Sequence, residues 1–343
     1  MKHILMIHAL QNISSKFLKL TALLSVCSLT LLRGNDHLNT TEPLPCLGHW
    51  HATDYFFDFC DTCGCGSTGG SMGYGTGLNT NFMGVRYIGQ QYRSRDGIFN
   101  DSPWINESFN TLQAWGNFSI SKRVVVNVII PYQFHYRKLP DATEQHINGL
   151  GDLSVLAFYN LIAVQPDSIV SIKPKHYLQV GGGLKLPTGA YEKANNEGSV
   201  NPSFQLGNGS WDYIAGLNYG FTYRNWGISS MVNYTIKTEN SKSYQFGNQL
   251  NYGLNAFKTY YVSNQLALTP VVGIAGENYA ANKEFALEVA HTKGEIFLGR
   301  LSVEATLNKY SLGVVSMLPI AQNLNGGKVE LKNRLSVYLN VNF

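Results

Sequence analysis

The chain ends in Leu335-Ser336-Val337-Tyr338-Leu339-Asn340-Val341-Asn342-Phe343, where apolar and polar side chains alternate. Successive side chains of a β-strand point to opposite faces, so the odd-numbered apolar residues share one face and Ser336, Asn340 and Asn342 share the other. An apolar face toward lipid and a polar face toward a lumen are typical of strands in an outer-membrane β-barrel. A soluble β-sandwich also ends in amphipathic strands, so the fold depends on whether the pattern recurs.

The alternation recurs back to about residue 81 and predicts about twelve strands of roughly 10 to 15 residues. Such lengths suit tilted membrane strands better than the shorter strands of soluble sheets. In the eighth strand the pattern predicts that Tyr244, Phe246 and Leu250 face outward. The predicted strands begin near Phe82, Phe109, Arg123, Asp152, His176, Trp211, Trp226, Tyr244, Gln265, Ile296, Tyr310 and Lys332. We therefore predict an all-β fold, a transmembrane antiparallel up-and-down barrel over residues 81–343.

The connections between these strands alternate in length, as the external loops and periplasmic turns of such barrels do. The predicted long connections are 94–107, 139–148, 188–210, 238–243, 277–295 and 321–330. The predicted shorter ones are 121–122, 164–173, 224–225, 259–263 and 308–309. An even number of strands places the start and the end of the barrel on the same side. Phe343 then lies where barrel-assembly machinery could meet it, and we predict it as the assembly signal.

Composition agrees with a membrane barrel. Charged residues make up 14% of the 343 residues, whereas soluble domains average roughly 25%, and the chain has 20 Tyr and 17 Phe. The formal net charge is only +4. Because no basic stripe with interleaved aromatic residues is present, we expect no nucleic-acid partner.

The first residues have the features of a secretory signal peptide. Lys2, Lys16 and Lys19 precede an apolar run over residues 20–32, and polar residues follow it. The run is shorter than a membrane-spanning helix and matches the apolar region of a signal peptide. We predict a signal peptide over residues 1–34 and export to the bacterial outer membrane.

Residues 35–80 form a predicted N-terminal periplasmic segment rich in Cys, His and Gly, which could act as a gate or plug of the barrel. Two disulfides are one interpretation, since an even number of cysteines in an oxidising compartment favours them. A soft-metal site for copper or zinc is another, and a redox role is a third. The candidate residues are Cys46, Cys60, Cys63, Cys65, His49 and His51.

Residues on the inward face decide whether anything passes through a barrel. Both charge signs occur among them, so two interpretations stay open: a salt-bridged plug and a polar conduit. The predicted lumen-lining residues are Arg86, Arg123, Gln133, His135, Arg137, Asp152, Lys185, Asp212, Arg300 and Glu304, with Tyr92, Gln179, Asn218, Gln249 and Asn251 on the same face.

The sequence offers little support for catalysis. It has no H-E-x-x-H motif, and a lone inward-facing His135 is more often part of a hydrogen-bond network. We predict no enzyme activity.

Two short motifs resemble a known family. Gly149-Leu150-Gly151-Asp152-Leu153 opens a strand, and Leu184-Lys185-Leu186-Pro187-Thr188-Gly189 closes the next. They resemble motifs of the outer-membrane transporter family named for the meta-pathway of phenol degradation, which is distantly similar to long-chain fatty acid transporters. Residues 60–65 and 198–205 look like a Bacteroidetes-type branch. The resemblance covers most of residues 60–343 and implies passage of small, hydrophobic molecules, whereas the cysteine segment departs from the wider family pattern.

These observations lead to three hypotheses. The first is an outer-membrane channel or transporter for passive passage of a small, hydrophobic molecule. The second is a copper- or zinc-handling protein that uses the Cys/His segment. The third is a sealed structural or adhesion barrel whose binding surface is the connection 188–210. The expected partners are outer-membrane lipid, the barrel-assembly machinery and a small-molecule substrate.

Overall fold

The computed structural model describes residues 81–95, 103–139, 141–162, 174–196 and 202–343, so the predicted signal peptide and Cys/His segment lie outside the described residues. The described chain forms a closed antiparallel barrel of 12 strands. Their bounds are β1 Phe82–Arg95, β2 Trp104–Ser119, β3 Val124–Lys138, β4 in two segments, Glu144–Leu150 and Leu153–Ile162, β5 Lys175–Leu186, β6 Asp212–Tyr223, β7 Trp226–Lys237, β8 Gln249–Lys258, β9 Leu266–Tyr279, β10 Gly294–Leu307, β11 Tyr310–Leu324 and β12 Val329–Asn342.

Each strand pairs with its neighbours in the chain, and β12 closes the ring against β1. In that closing pair Phe82 lies opposite Asn342, and the ladder runs to Ser94 opposite Val329. The second segment of β4 pairs with the first half of β3, and its first segment pairs with the second half. Gly151 and Asp152 separate the two segments. Closure leaves no unpaired sheet edge, as a bilayer requires.

Burial alternates along the strands as predicted. In β3 the side chains from Ile130 to Tyr136 alternate between exposed and buried, and β12 shows the same pattern from Leu335 to Asn340. The prediction for Tyr244 and Phe246 is wrong, because both side chains are buried. The regular ladder of β8 begins only at Gln249, so the period-2 parity does not extend to these two residues.

The two ends of the barrel differ in their connections. The turn end carries the start of β1, the end of β12 and the tight connections 120–123, 224–225 and 308–309. The loop end carries the longer connections 187–211, 238–248 and 280–293. Two predicted long connections are wrong: strands extend into both of them, leaving only residues 139–143 and 325–328.

Short elements complete the described chain. At the loop end, Tyr244–Gln245, Lys283–Glu284 and Leu287–Glu288 form a three-stranded sheet, which we call the cap sheet. Tyr260–Tyr261 adds a two-residue strand beside β9, and 3₁₀ turns occur at Lys193–Asn196 and Asn325–Gly327. Among the described residues, none of the helices has the length and apolar character needed to cross a membrane.

The outward face of β7 allows a direct test of the barrel's orientation in lipid. Val232 lies near the middle of this strand with its side chain 45% exposed, and Ile228, Tyr234 and Ile236 are exposed on the same face. We expect Val232→Arg to lower the free energy of unfolding in phospholipid vesicles by about 2–4 kcal/mol, the cost of a cation near the bilayer midplane. Urea unfolding followed by Trp fluorescence measures this cost.

Leu287→Arg is the matched control, because Leu287 lies in the cap sheet and is 74% exposed. We expect it to change the free energy of unfolding by less than about 0.5 kcal/mol. Equal effects of the two substitutions would contradict a lipid-facing position for Val232.

Candidate functional site: the barrel interior and its inner loop

The barrel interior contains many charged side chains. Of the described Lys, Arg, Asp and Glu residues, six basic and five acidic ones are buried. They are Arg86, Glu107, Arg137, Asp152, Lys185, Asp212, Lys237, Glu277, Arg300, Glu304 and Arg334. Buried charges are tolerated when partners of opposite sign and hydrogen bonds compensate their lost hydration. The contacts among these side chains therefore determine how the interior is organised.

Nine of the ten predicted lumen-lining residues are buried: Arg86, Gln133, His135, Arg137, Asp152, Lys185, Asp212, Arg300 and Glu304. Burial alone does not test a role in transport, which stays a prediction. Arg123 is the exception, and its placement on the inward face is wrong. It lies exposed in the turn before β3, where Nη1 donates to the Tyr159 hydroxyl at 2.9 Å. Because β3 begins at Val124, the strand parity does not extend to Arg123.

A charge cluster joins the two motifs noted in the sequence. Lys185 Nζ lies 2.7 Å from Asp212 Oδ2 and 3.4 Å from Asp152 Oδ2. Asn208 donates through Nδ2 to both carboxylate oxygens of Asp212, at 2.9 and 2.7 Å. Asp152 accepts backbone N–H groups from Gly189 and Asn208, each at 3.0 Å. One lysine and several N–H donors thus compensate two buried carboxylates.

The cluster also fixes the connection 187–211, which we call the inner loop. Thr188 Oγ1 donates to the Gly151 carbonyl at 2.7 Å and accepts from the Leu153 N–H at 2.9 Å. Gly189 and Gly207 lie so close together that a Cβ on either would overlap the backbone of the other. The loop therefore returns on itself directly beside Asp152, and glycine is required at this close approach.

Phe204 is the part of the inner loop that contacts the wall formed by β2 and β3. Its ring is fully buried, with its centroid 6.1 Å from that of Phe109 and 6.4 Å from the ring of His135. The Arg137 guanidinium carbon lies 4.4 Å from the Phe204 ring centroid, within cation–π range. Phe109, His135 and Arg137 are inward-facing residues of β2 and β3. The inner loop therefore enters the barrel and contacts its wall.

The two described arms of the inner loop are also bound to each other. Gln205 accepts the Glu192 N–H at 2.9 Å and donates to the Glu192 carbonyl at 2.7 Å. The Asn195 carbonyl accepts from Arg137 Nη2 at 2.9 Å. Since Ser203, Phe204 and Gln205 are buried, this part of the loop does not present the external binding surface that the adhesion hypothesis places at 188–210.

Residues next to the cap sheet cover the inner loop from the loop end. Tyr191 stacks on Tyr244 with ring centroids 5.7 Å apart, and Phe246 packs edge-on against both. Asn240 Nδ2 donates to the Asn208 carbonyl at 2.9 Å. The burial of Tyr244 and Phe246 thus has a structural reason, which is packing against the inner loop.

A second network crosses the interior. Arg334 on β12 donates through Nη1 to Glu277 on β9 at 3.0 Å, and through Nε to Gln90 on β1 at 3.0 Å. Tyr279 donates its hydroxyl to Glu277 at 2.6 Å. Since two strands separate β9 from β12 in the ring, the Arg334–Glu277 pair spans the interior rather than following the wall.

Further pairs lie closer to the turn end. Arg86 donates to Gln113 through Nε at 3.0 Å and Nη2 at 2.6 Å, and its guanidinium carbon lies 4.4 Å from the Trp115 ring centroid. The Tyr338 hydroxyl donates to Glu304 at 2.6 Å. Charges in this half of the barrel are therefore also paired or hydrogen-bonded.

Apolar side chains share the interior with these networks and form one contiguous cluster. The cluster contains Phe82 at the turn end, Phe204 from the inner loop, and Leu324 and Val329 at the loop end. A contiguous set of packed apolar side chains therefore extends through the barrel beside the paired charges.

His135 has partners for both ring nitrogens. Nδ1 accepts the Asn110 backbone N–H at 3.1 Å, so Nε2 carries the proton and donates to Gln133 Oε1 at 2.9 Å. Within the described residues, no three His, Cys, Asp or Glu side chains gather as a metal site. The predicted sites at Cys46, Cys60, Cys63, Cys65, His49 and His51 lie outside the described residues, so their disulfide, metal and redox interpretations stay predictions.

Several contact residues were absent from the predicted set. Arg334 shares the parity of Ser336 and Asn340 and could have been found from the pattern of the last strand. Glu277 was missed because the predicted connection began at that residue, whereas β9 continues to Tyr279. Phe204 could not be identified from the sequence, since no strand periodicity indicates that a loop enters a barrel.

Solved structures share this architecture. An outer-membrane channel from Pseudomonas putida F1 has a TM-score of 0.54 and 14% identity, covering 77% of this chain and 96% of that one. The β domain of the Bordetella autotransporter BrkA has a TM-score of 0.46 and 11% identity, covering 77% and 100%. A Pseudomonas aeruginosa FadL homologue has a TM-score of 0.32 and 8% identity, covering 77% and 91%. The similarity to the channel supports the fold alone, and the other two similarities are too low to support any conclusion.

No curated protein sequence matches this chain. The family model described as "Putative MetA-pathway of phenol degradation" matches residues 106–294, which is more than half of the chain. The matched region contains both motifs of the Asp152–Lys185 cluster and the whole inner loop. With the twelve-stranded barrel and these motifs in place, the chain belongs to this family of phenol-degradation MetA-pathway proteins.

Proposed function

We propose that this protein is a bacterial outer-membrane channel for passive passage of a small, hydrophobic molecule. The observation that carries the proposal is the contiguous apolar cluster, which extends from Phe82 at the turn end to Val329 at the loop end. Ligand sites for hydrophobic molecules are lined mostly by apolar side chains, and in this proposal the cluster supplies that lining within an otherwise polar interior. The family and the fold support a channel rather than an enzyme.

In this proposal the inner loop is the constriction. Phe204 and Gln205 are fully buried between the barrel wall and the rest of the loop, so movement of this loop would open space along the apolar cluster. Its anchors at Asp152 and Lys185 lie on β4 and β5, which would hold one side of the loop while the Phe204 side moves. The substrate's concentration gradient supplies the driving force.

The proposed orientation places the turn end in the periplasm and the loop end outside the cell, as in other barrels with short turns and long loops. Residues 35–80 would then meet the barrel from the periplasmic side and act as a gate. We propose secretion by the signal peptide, insertion by the barrel-assembly machinery through Phe343, and outer-membrane lipid as the surrounding solvent.

Solute flux into liposomes tests the proposal. The folded protein, with and without residues 35–80, is inserted into vesicles, and entry of a small aromatic solute is compared with entry of a sugar of similar mass. We expect the aromatic solute to enter faster, and removal of residues 35–80 to increase the difference. If neither form admits either solute, although heat-modifiable gel mobility shows correct folding, the proposed transport function is wrong.

A further inference from the structure

The turn end has an unusual charge distribution. Its described connections and strand ends carry basic side chains, namely Lys122, Arg123, Lys175, Arg224, Lys258 and Lys309. Within the described residues of this end, 119–124, 174–176, 223–226, 258–266 and 307–310, the sequence contains no Asp or Glu. A rim of one charge sign attracts ligands of the opposite sign.

The loop end differs in this respect. Acidic residues there accompany the basic ones, and two of the cations are neutralised by short ion pairs. Lys193 pairs with Glu284, and Arg93 lies 2.6 Å from Glu330. Among the described residues, the excess of positive charge is therefore found at the turn end and not at the loop end.

Three of the six cations of the turn end lie over aromatic rings. Lys258 Nζ lies 4.7 Å from the Trp226 ring centroid and 5.0 Å from that of Tyr260. The Arg224 guanidinium carbon lies 5.4 Å from the Tyr223 ring centroid, and Lys309 Nζ lies 5.6 Å from the ring of the exposed Tyr310. Tyr223, Trp226 and Tyr260 are exposed on the barrel exterior. The charges are therefore held on the lipid-facing side of the rim rather than over the barrel opening.

Two adjacent connections bring Arg224 and Lys258 to the same part of the rim. Lys258 lies opposite Trp226 in the β7–β8 ladder, and the Thr259 N–H donates to the Asn225 carbonyl at 2.8 Å. Arg224 is exposed in the same turn as Asn225 and has a positive φ of 53°. Arg224 and Lys258 thus flank one outward-facing surface made by Tyr223, Trp226 and Tyr260.

We propose that this rim binds the phosphate of anionic phospholipids in the periplasmic leaflet, with Arg224 and Lys258 as its principal site. Amphipathic rings at the headgroup level and cations beside a phosphate are the chemistry of interfacial lipid recognition. The aromatic surface accommodates the glycerol and upper acyl region, while Arg224 and Lys258 donate to the phosphate oxygens. The identification of the leaflet rests on the orientation in the proposed function, whereas the binding site itself does not.

Native mass spectrometry of the detergent-solubilised, folded full chain tests the site, with phosphatidylglycerol titrated against phosphatidylcholine. We expect preferential retention of phosphatidylglycerol. The Arg224→Gln/Lys258→Gln variant is expected to lower its affinity by about tenfold or more. The matched control is Lys138→Gln/Lys293→Gln, which removes two exposed cations from the loop end and should leave the affinity unchanged.

Three results would overturn the proposal. The first is equal retention of the two lipids, and the second is an equal loss of affinity in the control. The third is selective binding that appears only after residues 35–80 are deleted, since that segment, which contains five Asp and Glu residues and no Lys or Arg, would then be the occupant of the rim. Soluble glycerol phosphate, added at the same concentrations as the lipid, should not compete for the site, because it lacks the acyl chains that contact the rings.

If the Arg224→Gln/Lys258→Gln variant fails to fold, Lys122→Gln/Lys309→Gln is measured instead and should also lower the affinity. Solute flux is a separate measurement, so failure of the lipid site and failure of transport are distinguishable.

Discussion

Phe204→Ala is expected to raise the single-channel conductance of the folded barrel several-fold. The Phe204 ring is fully buried and fills the space between the inner loop and the wall formed by β2 and β3, where it contacts Phe109, His135 and Arg137. Truncation to alanine removes that contact and leaves a cavity beside the guanidinium of Arg137. Loss of the aromatic contact also weakens the hold of the wall on the loop, so both effects enlarge the path. Recordings in a planar bilayer measure the change.

Phe285→Ala is the control for this experiment. Phe285 is also an aromatic residue in a loop-end connection, but its side chain is 69% exposed. Its truncation should leave the conductance unchanged. If Phe204→Ala conducts no more than the unsubstituted protein, while both variants fold and insert equally well, then the inner loop does not constrict the path.

Lys185→Met is expected to lower the free energy of unfolding by about 3–5 kcal/mol, because it leaves two buried carboxylates without their shared cation. Lys185 lies within 4 Å of both Asp212 and Asp152, and all three side chains are buried. The same substitution should loosen the attachment of the inner loop, since Asp152 also receives the Gly189 N–H. Urea unfolding in phospholipid vesicles measures the free energy of unfolding. Current fluctuations recorded in a planar bilayer report movement of the inner loop.

Neutralising the carboxylates provides the control for the charge argument. The triple variant Asp152→Asn/Lys185→Met/Asp212→Asn should recover part of the lost stability, because no unpaired charge remains, while asparagine at position 152 keeps an acceptor for only one of the two backbone N–H groups that Asp152 binds. A triple variant that is as unstable as Lys185→Met would show that packing, and not charge, accounts for the loss.

Much of the barrel could be predicted from the sequence, because one elementary rule decides it. Side chains alternate between faces in a strand, and a bilayer and a lumen impose different polarities on the two faces. The predicted start of β7 at Trp226 and of β11 at Tyr310 are both observed. The rule fails where the ladder stops, and this is why Arg123, Tyr244 and Phe246 were placed on the wrong face.

The contacts inside the barrel could be predicted only in part. The alternation of side chains correctly predicts that Asp152, Lys185 and Asp212 lie on the inward face. It does not show which side chains of other strands each of them contacts. The entry of Phe204 into the barrel depends on tertiary packing, and the loop sequence around it has no periodicity that would signal it. The two family motifs were visible as separate stretches, and only the fold shows that Thr188 and Gly189 bind the residues around Asp152.

The paired interior favours a closed resting state. Arg334 bridges β1 and β9 through Gln90 and Glu277, and Lys185 bridges β4 and β6 through Asp152 and Asp212. Separating such buried partners is costly, so these networks would resist opening, whereas the Phe204 contact involves mainly aromatic packing. We therefore expect the inner loop to move while the charged networks stay in place.

Single-channel conductance of the refolded barrel, recorded for the full chain and for a form without residues 35–80, tests the channel most directly. The proposed function predicts a small steady current in the full chain that rises when residues 35–80 are removed and rises further when Phe204→Ala is added. Silence from all three forms, with correct folding shown by heat-modifiable gel mobility, would contradict a channel and indicate a sealed barrel.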